Sequence, residues 1–593
     1  MMAPFRNTGP PPDLIGIDEQ CVLAARPTPN DGSYLNVDDR ISVVFDGRLD
    51  HTSELRSALG LSAAVPVAEL IAAAYRRFGT EMFGSLRGNF ATVVWDQTAK
   101  RMVAARDCMG IRPLYYVASK EYLAIASDPE QMLAARLTSR TVDREMVLDY
   151  LLWDARFTDR TFFQEIRALP GGHLLIAEED RCNVRRFSTQ ALDGVRLPSQ
   201  SEYWKEYRRR FFDSVSTCIR SHAPVVLELS GGLDSSSIVC AADKIAHEYG
   251  AAAPELIAAA GRYPGLACDE TPFISAVAER IRIPVECWDA TRNSVNELDS
   301  TSIAVPGGRY FTFAGTEGQI EIMLARRATV LVSGLGGDQI GISAGAIRDA
   351  VTELRWQDAA RMIFRWPRAD ARFTARIMLA LVRSFSPPSV RVLSHRYGPI
   401  GARPFWLSRW ARNYRRLRPD PYYPASLESE VHRRNWRAIS SGPHALSMMY
   451  LQHYAVRRDI DIRFPFLDLD LVSLALSVPA RYWPPPWPCE RLHRGILGDL
   501  LPTAVFERRT KANFQAALDL RVRRHLPGIR DLVMVGPWLC EEFVDRGGAR
   551  RLLEMVEKGD ANDLGQIHGL WAVATLEAWM RGILGYAPAR HEG

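Results

Sequence analysis

Residues 225–246, VVLELSGGLDSSSIVCAADKIA, constrain the chain more than any other stretch. An apolar run reads as a buried strand and ends in Ser-Gly-Gly. An aspartate, three serines and a helical pattern follow. The glycines let the backbone pass close to an anion, and the helix beginning near Asp234 aims its free N–H groups and dipole at the same place. That makes a pyrophosphate seat, which in a parallel sheet belongs at the carboxyl edge where the strand order switches. A plain glycine turn with capping serines would read the same way, but a second turn of this kind argues against it. Residues 331–339, LVSGLGGDQ, repeat the pattern of apolar strand, glycine turn and acid. Leu229, Ser230, Gly231, Gly232, Leu233, Asp234, Ser235, Ser236, Ser333 and Gly334 are the expected nucleotide-binding residues. Asp234 and Asp338 are the expected carboxylates for Mg²⁺ bridging the phosphates. Neither turn is the G-x-x-x-x-G-K-[ST] of γ-phosphoryl transfer, so adenylation fits better.

At 593 residues the chain exceeds one ordinary core. A net charge of +5 is too small for this length to argue for nucleic acid. The nine cysteines show no metal-ligand spacing, and no stretch reaches the roughly 18 apolar residues of a membrane-crossing helix. A cytoplasmic protein without membrane or nucleic-acid partners is expected. Before about residue 200, short β-rich runs at 21–26, 40–49, 90–96, 101–107, 113–119, 122–127 and 173–178 surround one helix at 67–79. Beyond it, strands at 224–229, 255–261, 283–289 and 329–334 alternate with helical patterns, as in parallel βαβ units, and the chain past 345 reads as helical.

SGGLDSS at 230–236 resembles the pyrophosphate loop of the asparagine synthetase family. LRGNFATVVWD (86–96), ARDCMGIRPLYY (105–116) and TFFQEIRALPGGHLL (161–175) resemble that family's glutaminase domain. SGLGGD (333–338), RFPFLD (463–468), LHRGILGDLLP (492–502) and RRTKANF (508–514) resemble its synthetase domain. The resemblance implies an α+β N-terminal glutaminase-like (Ntn) sandwich over 1–195. It implies an α/β adenine-nucleotide-hydrolase-like synthetase over 203–585, with a parallel sheet and a helical C-terminal extension. ATP and Mg²⁺ are the implied cofactors, and an acyl-adenylate the implied intermediate. Lys511 in R-R-T-K, Asp461 and Arg463 are the implied catalytic residues. The residues alone leave Asp461 and Arg463 open as a structural ion pair, Asp468 as structural, and the pair Asp269-Glu270 open between orienting substrate or magnesium and being solvated.

The departures from the family set the expected reaction. Its glutaminases use a first-residue cysteine, whereas this chain begins Met-Met and its first cysteine is Cys21, in a strand-like segment. The family's Asn-Gly-Glu grip on glutamine is Asp46-Gly47-Arg48 here. Glutamine is then neither held nor hydrolysed, and the amine must arrive with the substrate. Members with this loss include β-lactam synthetases and the cyclases that close lasso-peptide rings. Residues 355–418 carry fifteen arginines, no lysine and two acids, interleaved with aromatics. A solvated helical face is one account of them and a peptide surface another. With R-x-T-K-A-x-F, they favour a linear core peptide as substrate, and a leader peptidase or leader-binding protein as further partner. Rival expectations are a β-lactam synthetase or ammonia-dependent asparagine synthetase acting on a free small molecule, and a non-catalytic partner-binding protein. The intact Ser-Gly-Gly-Leu-Asp-Ser and Lys511 speak against the latter.

Overall fold

The computed structural model describes residues 13–16, 21–25, 33–37, 40–153, 159–179, 181–187, 194–250, 253–292, 304–306, 316–343, 345–364, 403–414, 427, 429–486, 490–560 and 564–584. Most of the arginine-rich stretch, 365–402 and 415–418, lies outside the described residues. In the first half, β1 (Asp13–Gly16) pairs with β2 (Val22–Ala25). The strands β3 (Ser33–Val37), β4 (Ile41–Asp50), β5 (Arg87–Asp96), β6 (Arg101–Arg106), β10 (His173–Glu178) and β11 (Arg181–Arg186) make a six-stranded antiparallel sheet ordered β11-β10-β6-β5-β4-β3. A second, smaller sheet joins β8 (Leu123–Ala126), β7 (Tyr115–Ala118) and β9 (Arg167–Ala168).

Side-chain alternation along β4 explains the layers. Ile41, Val43 and Phe45 pack on Ala68, Ile71, Ala72 and Tyr75 of the helix Val67–Phe78. Across the sheet, Ala91, Ala104 and Leu175 meet Leu114 and Leu169, with Leu123 and Ile125 of the small sheet beside them. Helix, sheet and sheet therefore stack as the α+β sandwich expected from the sequence.

The second half is built on five parallel strands, β12 (Val225–Glu228), β13 (Leu256–Arg262), β14 (Val285–Asp289), β15 (Val330–Val332) and β16 (Asp461–Arg463), ordered β14-β13-β12-β15-β16. Helices cover both faces, so β12 and β15 are apolar almost throughout and buried: Val225, Val226, Leu227, Val330 and Val332 have no exposed surface. The chain leaves β12 toward β13 and later returns to β12's other side as β15. That reversal puts the two glycine turns side by side at the carboxyl edge.

One core cluster draws on both halves. Met146, Tyr150, Phe162 and Phe163 pack with Trp571, Leu576 and Trp579 of the helix Leu564–Ile583. The Phe162 and Trp579 rings lie 5.5 Å apart edge-on, and the hydroxyls of Tyr150 and Thr575 are 2.5 Å apart. Among the described residues no helix is long and apolar enough to cross a membrane.

His444, buried in the helix Gly442–Val456, is held down to about 4 from the usual 6.5 because burial penalises its charged form. The folded protein resists protonating it while the unfolded chain does not. Its contribution to stability is thus present above pH 6.5 and lost as pH falls toward 4. The loss is on the order of 3 kcal/mol. Urea unfolding of wild type and His444→Leu across that window should show the leucine variant losing correspondingly less stability.

Candidate active site

The helix Leu233–Tyr249 begins at Gly232 without a side-chain cap, leaving its first N–H groups to the loop before it. Gly231 takes φ 73°, and a Cβ there would come within 2.9 Å of the Phe273 Cβ, so this turn needs glycine. Ser230 and Ser235 brace the turn: the Ser230 N–H donates to the Ser235 hydroxyl at 3.1 Å, and the two hydroxyls lie 2.9 Å apart. Arg508 clasps the loop from outside. It donates to the Gly231 carbonyl at 3.4 Å, pairs with Glu270 and lies 4.1 Å over the Phe273 ring. Glu270, expected to be solvated, is buried, and burial raises its pKa against the lowering pull of Arg508 and Lys511. Asp269 accepts from the Thr271 hydroxyl at 2.7 Å and from the backbone N–H groups of Thr271 and Tyr263.

The turn after β15 presses against this loop. A Cβ on Gly334 would fall 2.9 Å from the Ser235 nitrogen, and one on Gly337 would fall 2.5 Å from the Asp234 carboxyl carbon. The second turn therefore sits on Asp234 itself and brings Asp338, the next residue, alongside. At the base, the Ser333 hydroxyl donates to Glu228, which ends β12.

Each acid has a partner that sequence spacing did not show. Asp234 Oδ1 lies 2.7 Å from Nε2 of the fully buried His493. Asp338 accepts from Arg491 at 2.7 Å and from the exposed Lys511. Burial pushes the Asp338 pKa up, but Arg491 and Lys511 outweigh it and hold it below the usual carboxylate range. Two carboxylates beside a phosphate-type loop suit Mg²⁺, which takes one or two protein carboxylates and completes its shell with phosphate and water.

Asp461 and Arg463 lie apart from this cluster. Asp461 opens β16 level with Val330, and its N–H donates to the Thr329 carbonyl, so it stands at the amino end of its strand. Its oxygens are taken by Arg112 at 2.5 Å and Arg463 at 2.7 Å. Arg463 also donates to the carbonyls of Cys218 and Arg220 at 2.9 and 2.6 Å, closing the C-terminus of the helix Gln200–Ile219. The arrangement is the structural ion pair left open by the sequence, extended by Arg112 from the N-terminal half. Asp468 accepts from the N–H groups of Asp470 and Leu471 and caps the helix Leu469–Ala475.

The Asp46-Gly47-Arg48 corner joins the same region. Gly47 takes φ 127°, and a Cβ there would lie 2.1 Å from the Asn89 carbonyl oxygen. Arg48 forks onto Asp50 at 2.7 and 3.0 Å, and Asp46 accepts from the Ser127 hydroxyl at 3.2 Å. Cys21 is buried with Leu23 and Trp95.

Sequence comparison agrees with this two-part geometry. A glutamine amidotransferase domain model matches residues 30–188, and an asparagine synthase model matches residues 206–581. The chain belongs to the asparagine synthase family. Its relatives include the amidase chyE of Penicillium rubens, 22% identical over 74% of this chain and 71% of that protein. The amidase chry2 of Gibberella zeae is 23% identical over 69% and 66%. A glutamine-hydrolysing asparagine synthetase of Bacillus subtilis is 28% identical over 36% of this chain and 34% of its own length. As an asparagine synthase family member the chain is an ATP-dependent carbon–nitrogen ligase that forms AMP and pyrophosphate.

Replacing Asp461 with Asn leaves the buried Arg463 and half-buried Arg112 guanidiniums around a neutral amide. The expected cost is about 3 kcal/mol of stability, read by urea denaturation. Unchanged stability with lost ligase activity would instead return Asp461 to the chemistry.

Proposed function

We propose that this ligase closes a macrolactam ring in a linear precursor peptide of the lasso type, by adenylating a side-chain carboxylate and letting the peptide's own amine take the acyl group. The observation that carries this reading is the Asp46-Gly47-Arg48 segment of β4, where ion-paired Arg48 and half-buried Asp46 stand in place of a grip on glutamine. Without ammonia from glutamine, the nitrogen must come with the substrate.

The loop residues Leu229 to Ser236, with Ser333 and Gly334, hold the nucleotide, and Asp234 and Asp338 hold Mg²⁺. The metal supplies charge neutralisation on the phosphates when bound. The substrate carboxylate displaces pyrophosphate from the α-phosphorus of ATP, and the N–H groups at the start of the helix Leu233–Tyr249 face the anionic group. Lys511 and Arg491 stand where charge grows on the leaving pyrophosphate. The amine then attacks the acyl carbon, AMP departs, and the amine's surplus proton is lost to solvent. Partners of this reading are the linear core peptide and a leader peptidase or leader-binding protein. The cytoplasm suits it, since no two of the eight described cysteines form a disulfide. Amide formation on a free small molecule is the second reading, since the family match does not tie the substrate to a peptide.

Purified protein with ATP, Mg²⁺ and a linear core peptide should release AMP and yield a peptide lighter by one water, and glutamine should give no glutamate. AMP release with small carboxylic acids and none with peptide would favour the second reading.

Lys511→Ala should fold normally yet form amide at least about a hundredfold more slowly, as expected for a lost charge-stabilising group. Lys511→Arg should not restore the rate, because a planar fork is larger and differently directed than an ammonium. Near-normal cyclisation by the alanine variant would remove Lys511 from the mechanism.

A further inference from the structure

We propose that His493 is a positioning residue for the nucleotide-activation step, fixing the Asp234 carboxylate so that one oxygen stays turned to the ligand. This rests on the reading of Asp234 as a metal-holding acid and adds to it a group from a distant part of the chain. His493 belongs to the helix Leu492–Leu497 and has no exposed surface, whereas the Asp234 side chain is 21% exposed. Nε2 and Oδ1 are 2.7 Å apart, and Oδ2 has no hydrogen-bond partner among the described residues. Nδ1 has none either. A proton on Nδ1 would be a buried, unmatched donor, so the ring's proton belongs on Nε2, where it points at the carboxylate.

The pocket is shaped for this ring. Phe466 packs against it with centroids 4.9 Å apart, and a Cβ on Gly341 would fall 2.9 Å from Nδ1. Gly337 confines the carboxylate on another side, because any Cβ there would overlap the Asp234 carboxyl group. The Tyr207 hydroxyl, also fully buried and without a hydrogen-bond partner among the described residues, lies near enough for Asp234 to help burial push its pKa up. An apolar side chain would fill the His493 position between Phe466 and Gly341 with no polar atom to satisfy. A histidine there makes sense for the charged acceptor it orients, as groups behind metal-binding carboxylates do elsewhere.

The test reads metal binding without turnover. Mn²⁺ is titrated in the presence of ATP and absence of any acyl substrate, with bound metal followed by electron paramagnetic resonance, and thermal unfolding of each variant is measured alongside. His493→Leu should raise the half-saturating Mn²⁺ concentration about ten- to a hundredfold without lowering the unfolding midpoint. His493→Gln, which keeps an N–H donor near the Nε2 position, should bind close to wild type. His493→Asn is too short to reach Oδ1 and should resemble the leucine variant, so the Gln and Asn pair decides the matter if His493→Leu does not fold. Wild-type Mn²⁺ binding in His493→Leu, or equal binding in the Gln and Asn variants, would overturn the positioning role. Asp234→Asn is the control: if it too binds Mn²⁺ normally, the proposal falls because the metal-holding reading of Asp234 has failed.

Discussion

The close contact between the two glycine turns at the carboxyl edge of the parallel sheet is the constraint on which the site depends. It exists because β12 and β15 are neighbours although more than a hundred residues separate them in sequence, and because Gly334 and Gly337 have no side chains to hold the turns apart. A methyl group at either position would push into Ser235 or Asp234. Asp234 and Asp338 face one crevice only if that approach is allowed. Once it is, the rest of the local structure braces it. Ser333 ties to Glu228 across the two strands, Arg508 and Glu270 fasten the first turn to its neighbouring helix, and Arg491 reaches Asp338 from the segment before His493.

At the opposite edge of the same sheet, a second set of charges joins the halves of the chain. Asp46, Arg48, Asp50 and Arg112 come from the N-terminal half, and Asp461 and Arg463 from β16, three acids against three arginines. Taking such groups out of water is costly, and only near-complete pairing offsets it. The fork of Arg48 on Asp50 and the double hold on Asp461 supply that pairing. Burial pushes the Asp461 pKa up, but Arg112, Arg463 and Arg48 more than reverse this and hold it well below the usual carboxylate range. Arg106 adds a hydrogen bond to Gln452, whose amide donates back to Gly110 and Ile111. The N-terminal sheet is thus a structural partner of the ligase half.

Local pattern explains what was legible in the sequence. Strands with one buried face, such as β4 to β6, show alternation, and β12, β13 and β15 show unbroken apolar runs, so the sandwich and most of the parallel sheet could be read directly. β11 could not, because RCNVRR is a largely exposed edge strand with no apolar face. β16 was hidden for another reason: three residues with an acid and an arginine carry no strand signal, and their place is set by pairing with β15. The glycine turns announced the nucleotide-type loop, and Asp234, Asp338 and Lys511 do gather there. His493 and Arg491 were out of reach because their partners are distant in sequence, and no spacing rule connects position 493 to position 234; Glu270 was visible as a loop acid, but not its pairing with Arg508. Asp461 shows the converse case: a motif places a residue in a segment without telling which end of the strand its side chain serves.

The two edges differ in how their charges are balanced, and the difference follows from exposure. At the amino edge, three arginines and three acids are equal in number and mostly covered, an arrangement suited to holding shape. At the carboxyl edge, Asp338 faces both Arg491 and Lys511 while Asp234 faces only His493 among the described residues, and Lys511 is 67% exposed. An exposed ion pair is held weakly because water competes for both partners. A polyanion entering the crevice therefore meets an ammonium it can draw from Asp338 at little cost, while Arg491, only 13% exposed, keeps its place. Such a division, one anchored cation and one movable, puts positive charge where phosphate arrives and leaves the carboxylate free to turn to another partner.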